Sequence, residues 1–222
     1  MVLRQTRLTA RLLFATILVL AAFMLAHFGP DHLIEGRAKP GREPNLFPAW
    51  QMVLRTCLVA TVTMLAHEQA ARVKRWRRNI IRAGGVFATS WIGSLALALL
   101  VQSMQIAQGL GFDPDRSTGY AAALGLLILF RANLLPKSRP AWFNGVALPI
   151  FASRADIWCK VHRLAAIRLL VIGLAALGLA AFAPADVDPV QPIVILLSAE
   201  LALSTLHALW LGATTGPRKE TA

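Results

Sequence analysis

Two ionisable side chains, Arg55 and Glu200, stand inside long apolar stretches of this sequence. A charged group costs about 2.5–3.5 kcal/mol at the centre of a membrane helix, so such residues usually pair and face inward. The helical rise, counted from the ends of their stretches, places both at a similar depth. We therefore predict an Arg55–Glu200 ion pair that fixes helix packing. Two alternatives remain open, a proton or ligand site, and an Arg55 that reaches outward to the membrane surface.

Glu200 also begins a polar stripe, because Ser204 and His207 follow it at helical spacings of four and seven residues. These side chains are the intramembrane candidates for binding a proton or a ligand. A second group of metal-ligand types lies near the end of the first apolar stretch and comprises His27, Asp31, His32 and Glu35. Gly29 and Pro30 interrupt this group, so no helical geometry fixes it and we expect no metal site.

An enzyme is not expected. The sequence has no His-Glu-x-x-His pair, no phosphate-binding glycine loop after a strand and no Gly-x-Ser-x-Gly elbow. We therefore predict neither a catalytic residue nor a cofactor.

The elements that position these residues are membrane-spanning helices. Hydrophobic residues make up 56% of the 222 residues, and they come in blocks close to the about 20 residues that span a bilayer. The sequence predicts an all-α fold, a single membrane domain over 1–222 formed by a six-helix bundle with short loops. The predicted spans are 12–28, 49–66, 80–101, 119–135, 164–183 and 190–211.

Charge placement predicts the orientation. With the N-terminus inside, 18 of the 23 Lys and Arg residues fall in cytoplasmic segments and 4 in external ones. Basic residues mark the cytoplasmic side, so we expect an inner-membrane protein with both termini in the cytoplasm. The net charge of +12 then indicates attraction to the anionic inner leaflet rather than direct nucleic-acid binding. External loops are expected at 29–48, 102–118 and 184–189.

The stretch 131–168 is the most informative part of the chain. Its prolines predict an ordered, irregular loop. Ser153 and Asp156 have the spacing of a capping box, which predicts a helix that begins there and continues into the fifth span. Trp158 and His162 are four residues apart and should share one face of that helix.

This stretch resembles the signature of the SdpI family of bacterial immunity and signalling membrane proteins. The matching positions are Asn133, Leu135, Pro136, Lys137, Arg139, Pro140, Gly145, Pro149, Trp158, His162 and Arg163. Three positions depart from the family pattern, namely Ala141, Ala147 and Ile150. The resemblance extends to the six spans and the chain length.

The resemblance implies that the chain binds rather than catalyses. It implies two partners, an antimicrobial peptide toxin on the outside and a transcriptional repressor held at the cytoplasmic face. It also implies that the signature residues form the binding region. Two alternatives come from the residues themselves: a small-solute or proton-coupled transporter, for which the Glu200 stripe is the motive, and a structural or assembly subunit of a membrane complex.

Overall fold

The structure is a computed structural model that describes residues 2–35, 46–83, 85–112, 115–141, 145, 154–184 and 187–215. These residues form seven α-helices. The bounds are α1 Val2–Phe28, α2 Ala49–Arg72, α3 Lys74–Arg82, α4 Val86–Gly109, α5 Arg116–Leu134, α6 Ala155–Phe182 and α7 Val190–Thr214. All except α3 are long and apolar enough to cross a membrane. The chain is an all-α, multi-pass membrane protein, as the hydropathy pattern predicts.

Several helix bounds differ from the sequence prediction. The third span was expected at 80–101, but α3 and α4 are separate helices with Gly85 between them at φ 102°. Residues that carry a side chain rarely adopt this left-handed backbone conformation, so glycine allows the sharp break. As a result α4 continues to Gly109, and the expected loop 102–118 is mostly helical.

The predicted external loop 29–48 contains two short antiparallel strands, β1 (Leu33–Glu35) and β2 (Leu46–Pro48). We call the end of the bundle that carries these strands the hairpin end. The opposite end, where α1, α4 and α6 begin, is called the basic end.

The fifth span begins earlier than its apolar block. The helix α6 runs from Ala155 to Phe182 without a break, which confirms that the signature stretch continues into this span. Ser153 lies outside the described residues, so the capping box is untested. Arg154, which precedes the helix, pairs with Asp156 at 3.1 Å.

Helix packing divides the bundle into two halves. In the first half α1, α2 and α4 pack together, and in the second half α5, α6 and α7 do so. Contacts between α4 and α5 join the halves. Each half has its own apolar core, one centred on residues such as Trp91 and Leu95 and the other on residues such as Leu169 and Ile172.

Candidate functional site

The signature residues meet at the basic end of the bundle. Trp158 and His162 stack with their ring centroids 4.1 Å apart, so the predicted shared face is confirmed. His162 Nδ1 lies 2.8 Å from the Trp158 carbonyl oxygen, and the indole Nε1 of Trp158 donates to Ser138 Oγ at 2.9 Å. All three side chains are buried. The stack therefore connects the start of α6 to the loop after α5.

The backbone of Gly145 lies against this stack. A Cβ atom at this position would overlap the imidazole of His162 and lie 2.8 Å from Cζ2 of Trp158. Close approach therefore requires glycine at position 145. Asn79 in α3 also donates to the carbonyl oxygen of Pro140 at 2.7 Å. The loop is therefore held by both α3 and α6. We call this assembly of Ser138, Pro140, Gly145, Trp158 and His162, with Asn79, the signature cluster.

Most of the other described signature residues face outward, whereas Leu135 is buried in the core. The exposed members are Asn133, Pro136, Lys137, Arg139 and Arg163. Three of them are cationic, so this end presents positive charge around a buried aromatic centre. Ala141 is buried, at 2% exposure. Pro149, Ala147 and Ile150 lie outside the described residues.

A second polar chain lies beside the signature cluster. Arg131 Nη1 donates to Ser90 Oγ at 3.1 Å, and Ser90 Oγ lies 3.3 Å from His67 Nε2. The other ring nitrogen of His67 bonds the carbonyl oxygen of Thr63 at 2.9 Å. These contacts connect α5 of the second half to α4 and α2 of the first.

The predicted pair of Arg55 with Glu200 is wrong. Glu200 accepts a bidentate pair of hydrogen bonds from Arg168, and the Nη2 atom of Arg168 also donates to Ser204 Oγ at 2.9 Å. Ser204 in turn donates to Glu200. Arg168 lies in α6, which packs on α7, whereas α2 belongs to the other half of the bundle. The similar depths of Arg55 and Glu200 along their helices therefore did not identify the partner of Glu200.

Arg168 lies well inside the bundle. It is 13 residues beyond the start of α6, roughly 20 Å along the helix axis. The predicted set of 18 cytoplasmic charges includes this residue. We call Arg168, Glu200 and Ser204 the ion triad.

His207 does not join the ion triad. It stacks with Trp210 at a centroid distance of 6.2 Å, and its Nδ1 atom makes no hydrogen bond within the described residues. The polar stripe predicted for α7 therefore acts as a unit only over its first two members.

Arg55 instead turns toward the hairpin end, as the alternative of an outward-reaching side chain predicts. Its guanidinium carbon lies 4.6 Å from the ring centroid of Phe47 in β2. Beside it is a crevice of about 330 Å³ between α2, α4 and α5, which Arg55, Gln105 and Tyr120 help to line. Gln105 is 6% exposed, and its Oε1 atom has no hydrogen-bond partner among the described residues. We call this space the hairpin-end crevice.

The histidines near the hairpin take part in aromatic contacts. His27 stacks on Phe23 with centroids 5.2 Å apart, and His32 stacks on Phe28 at 5.3 Å. Within the described residues, no group of three or more His, Cys, Asp or Glu side chains is placed to hold a metal ion.

No family model, curated protein or solved structure matches the chain.

Sequence reasoning missed Asn79, Ser138 and Arg168. Asn79 contacts the loop after α5 and Ser138 lies in it, and the sequence of a loop carries no periodic signal. For Arg168 a signal did exist. Helices α6 and α7 are joined by a short segment and must be antiparallel neighbours, which makes a charge in one the natural partner for a charge in the other.

Proposed function

We propose that this protein is an SdpI-like immunity or signalling protein of the inner membrane, which acts by binding a peptide toxin or a cytoplasmic regulator. The observation that carries the proposal is the signature cluster. Residues from α3, the loop after α5 and the start of α6 pack into one unit around the buried Trp158–His162 stack, against which Gly145 lies. This contact gives a physical reason for the glycine, tryptophan and histidine of the family pattern.

The arrangement favours binding over catalysis. The buried part of the signature holds the loop in place, and the exposed part carries Lys137, Arg139 and Arg163. A rigid basic surface attracts an acidic protein surface and raises the rate at which the two associate. We therefore assign this end to a cytoplasmic regulator with an acidic docking face.

The hairpin-end crevice suits the external partner. It combines the cation of Arg55 with the unpartnered carbonyl oxygen of Gln105 and apolar walls. A peptide offers carboxylates that can pair with Arg55, backbone N–H groups that can donate to Gln105, and apolar side chains that can pack against the walls. A toxin that enters the outer leaflet could therefore be captured before it disturbs the bilayer.

The proposed orientation has a direct test. Cysteines replace Leu33 or Leu46 on the hairpin and Lys74 or Lys160 at the basic end, in a chain whose two natural cysteines are changed to alanine. In intact cells a membrane-impermeant thiol reagent should label the hairpin positions and spare the others. Labelling at the basic end alone would show that the chain has the opposite orientation in the membrane.

The function is tested by deleting the gene in its native host and challenging the cells with peptides secreted by neighbouring strains. Deletion should increase sensitivity, and the wild-type chain should restore protection. Gly145→Ala should restore little, because the added methyl group displaces the Trp158–His162 stack.

The matched control is Gly178→Ala, where an added Cβ has nothing within 4 Å. It should restore full protection at equal membrane levels. Two results together would contradict the proposal. The deletion would leave sensitivity to the peptides unchanged, and no regulator would require this chain in order to be found in the membrane fraction.

A proton-coupled transporter is the second candidate, because Glu200 is a carboxylate deep inside the bundle. A carboxylate that carries protons must lose and regain its proton during each cycle. Both carboxylate oxygens of Glu200 are instead bonded by Arg168 or Ser204. Proton uptake by liposomes that contain the protein, abolished in Glu200→Gln, would establish this alternative over the binding function.

A further inference from the structure

We infer that the basic end holds a specific site for an anionic phospholipid, between α1, α3 and α4. A cavity of about 670 Å³ opens there, which falls within the about 300–1,000 Å³ range of ordinary ligand pockets. Its lining includes Arg4, Arg7 and Arg77 together with the apolar side chains of Ile80, Ile81 and Phe87. This inference does not depend on the proposed function, and we call the cavity the inner groove.

The charge around the inner groove is strongly unbalanced. Glu68 is the only acidic residue in the sequence of α1, α2, α3 and α4. It is shared by Arg7, Arg11 and Arg72 at 3.3, 3.6 and 3.8 Å. Arg4 and Arg77 have no acidic partner among the described residues. The groove therefore presents positive charge at Arg4 and Arg77 that no acidic residue in the described part of the chain neutralises.

The shape of the groove distinguishes a lipid from a soluble anion. Ile80 and Phe87 are buried, whereas Ile81 is 60% exposed and extends the apolar lining outward. Guanidinium groups bind phosphate oxygens through paired hydrogen bonds, and basic pockets between membrane helices bind lipid head groups. A phosphate at Arg4 and Arg77 would have its acyl chains along the isoleucines. Free phosphate would leave that apolar wall uncovered.

The helix α3 is built for this position. Its sequence, KRWRRNIIR, places five cations among nine residues, with Ile80 packed into the core of the first half. The hydrogen bond from Asn79 to Pro140 fixes the helix against the signature cluster. Arg77 is therefore held beside the start of α1 rather than on a freely moving loop.

The test measures lipid retention by native mass spectrometry of the full chain purified in detergent. Dioleoylphosphatidylglycerol is compared with dioleoylphosphatidylethanolamine, and inorganic phosphate is added in a separate arm. The wild-type chain should retain the anionic lipid in preference to the zwitterionic one. Millimolar phosphate should not displace it.

The double variant Arg4→Gln/Arg77→Gln should bind the anionic lipid about thirtyfold more weakly, from about fivefold for each basic residue near a membrane surface. The matched control is Arg78→Gln/Arg82→Gln, which removes the same charge from exposed positions on α3 that are not among the groove lining. It should bind as the wild type does.

A third variant keeps the charge and fills the space. Ala88 lines the groove, and Ala88→Phe should weaken lipid retention while the protein keeps its helical content by circular dichroism. Equal loss in the Arg4/Arg77 and Arg78/Arg82 variants would overturn the site in favour of general surface attraction. Displacement of the lipid by inorganic phosphate would overturn the lipid assignment in favour of a free-anion site. Equal retention of the two lipids would overturn both the lipid site and the free-anion site.

Discussion

The two halves of the bundle differ in how many of their described buried polar groups lack a hydrogen-bond partner. In the first half, Trp91 Nε1, Gln102 Oε1 and Gln105 Oε1 are buried with no hydrogen-bond partner among the described residues. In the second half, both carboxylate oxygens of the nearly inaccessible Glu200 are bonded by Arg168 or Ser204. An unsatisfied buried group costs about 1–3 kcal/mol, so the first half carries a larger penalty than the second, where His207 Nδ1 is the one described side-chain atom that is buried without a partner.

The inner groove and the hairpin-end crevice both border the first half. The inner groove lies within the first half, and the hairpin-end crevice lies between this half and α5. In the second half, α5 and α6 approach closely through Gly125 and Gly173. Small residues allow such contact between membrane helices. The comparison indicates that the second half is a rigid frame, and that the first half offers space and unpaired groups to ligands.

The largest effect should come from breaking the ion triad. Arg168→Met or Glu200→Met leaves one charge unpaired inside the bundle, and each should lower the free energy of unfolding by about 3–5 kcal/mol. The double variant should recover much of this loss, as measured by unfolding in mixed detergent micelles.

The control for this prediction combines Arg55→Met with Glu200→Met. Distant sites add in their effects, so this combination should show no recovery. Strict additivity for Arg168 with Glu200 would instead mean that the two residues are not coupled, and the rigid-frame interpretation would fail.

A smaller effect is expected at the contact between α5 and α6. A Cβ at Gly173 would lie 2.7 Å from the side chain of Leu129 and 3.2 Å from the carbonyl oxygen of Gly125. Gly173→Ala should therefore destabilise the protein by about 1–3 kcal/mol through overpacking. Gly178→Ala in the same helix meets nothing and should stabilise it by up to about 1 kcal/mol. Equal thermal shifts for the two variants would contradict close packing in this half.

The smallest effect should distinguish the first half. Gln105→Leu removes a buried oxygen that lacks a partner, so it should leave stability unchanged or raise it by about 1 kcal/mol. Ser204→Ala in the second half should lower it by a similar amount, since two hydrogen bonds are lost. Thermal unfolding in one detergent compares them directly. Destabilisation by Gln105→Leu would show that this amide is structurally important, and the contrast between the halves would be weakened.

The sequence was sufficient for the fold and for part of the site. Hydropathy predicts six spans because a helix in lipid must satisfy its backbone internally and expose apolar side chains. The four-residue spacing predicts the shared face of Trp158 and His162 in the same way. Both are local properties, which depend on helical period and not on the arrangement of helices.

The errors arose where helix neighbours mattered. Arg55 and Glu200 matched in depth, but depth says nothing about which helices touch. The break at Gly85 was hidden, because basic and apolar residues run together across α3 and α4. The contact of Gly145 with His162 joins a loop to a helix, and a loop has no period to reveal its partner.

The ion triad has a consequence for how the chain enters the membrane during synthesis. Arg168 is made 32 residues before Glu200, which corresponds to about two to six seconds at ordinary translation rates. During that interval α6 carries a lone charge whose insertion is unfavourable by about 2.5–3.5 kcal/mol. The penalty is removed only when α7 emerges and folds back. The last two helices should therefore leave the insertion machinery together as one helical hairpin, electrically neutral at its centre and so insensitive to the membrane potential.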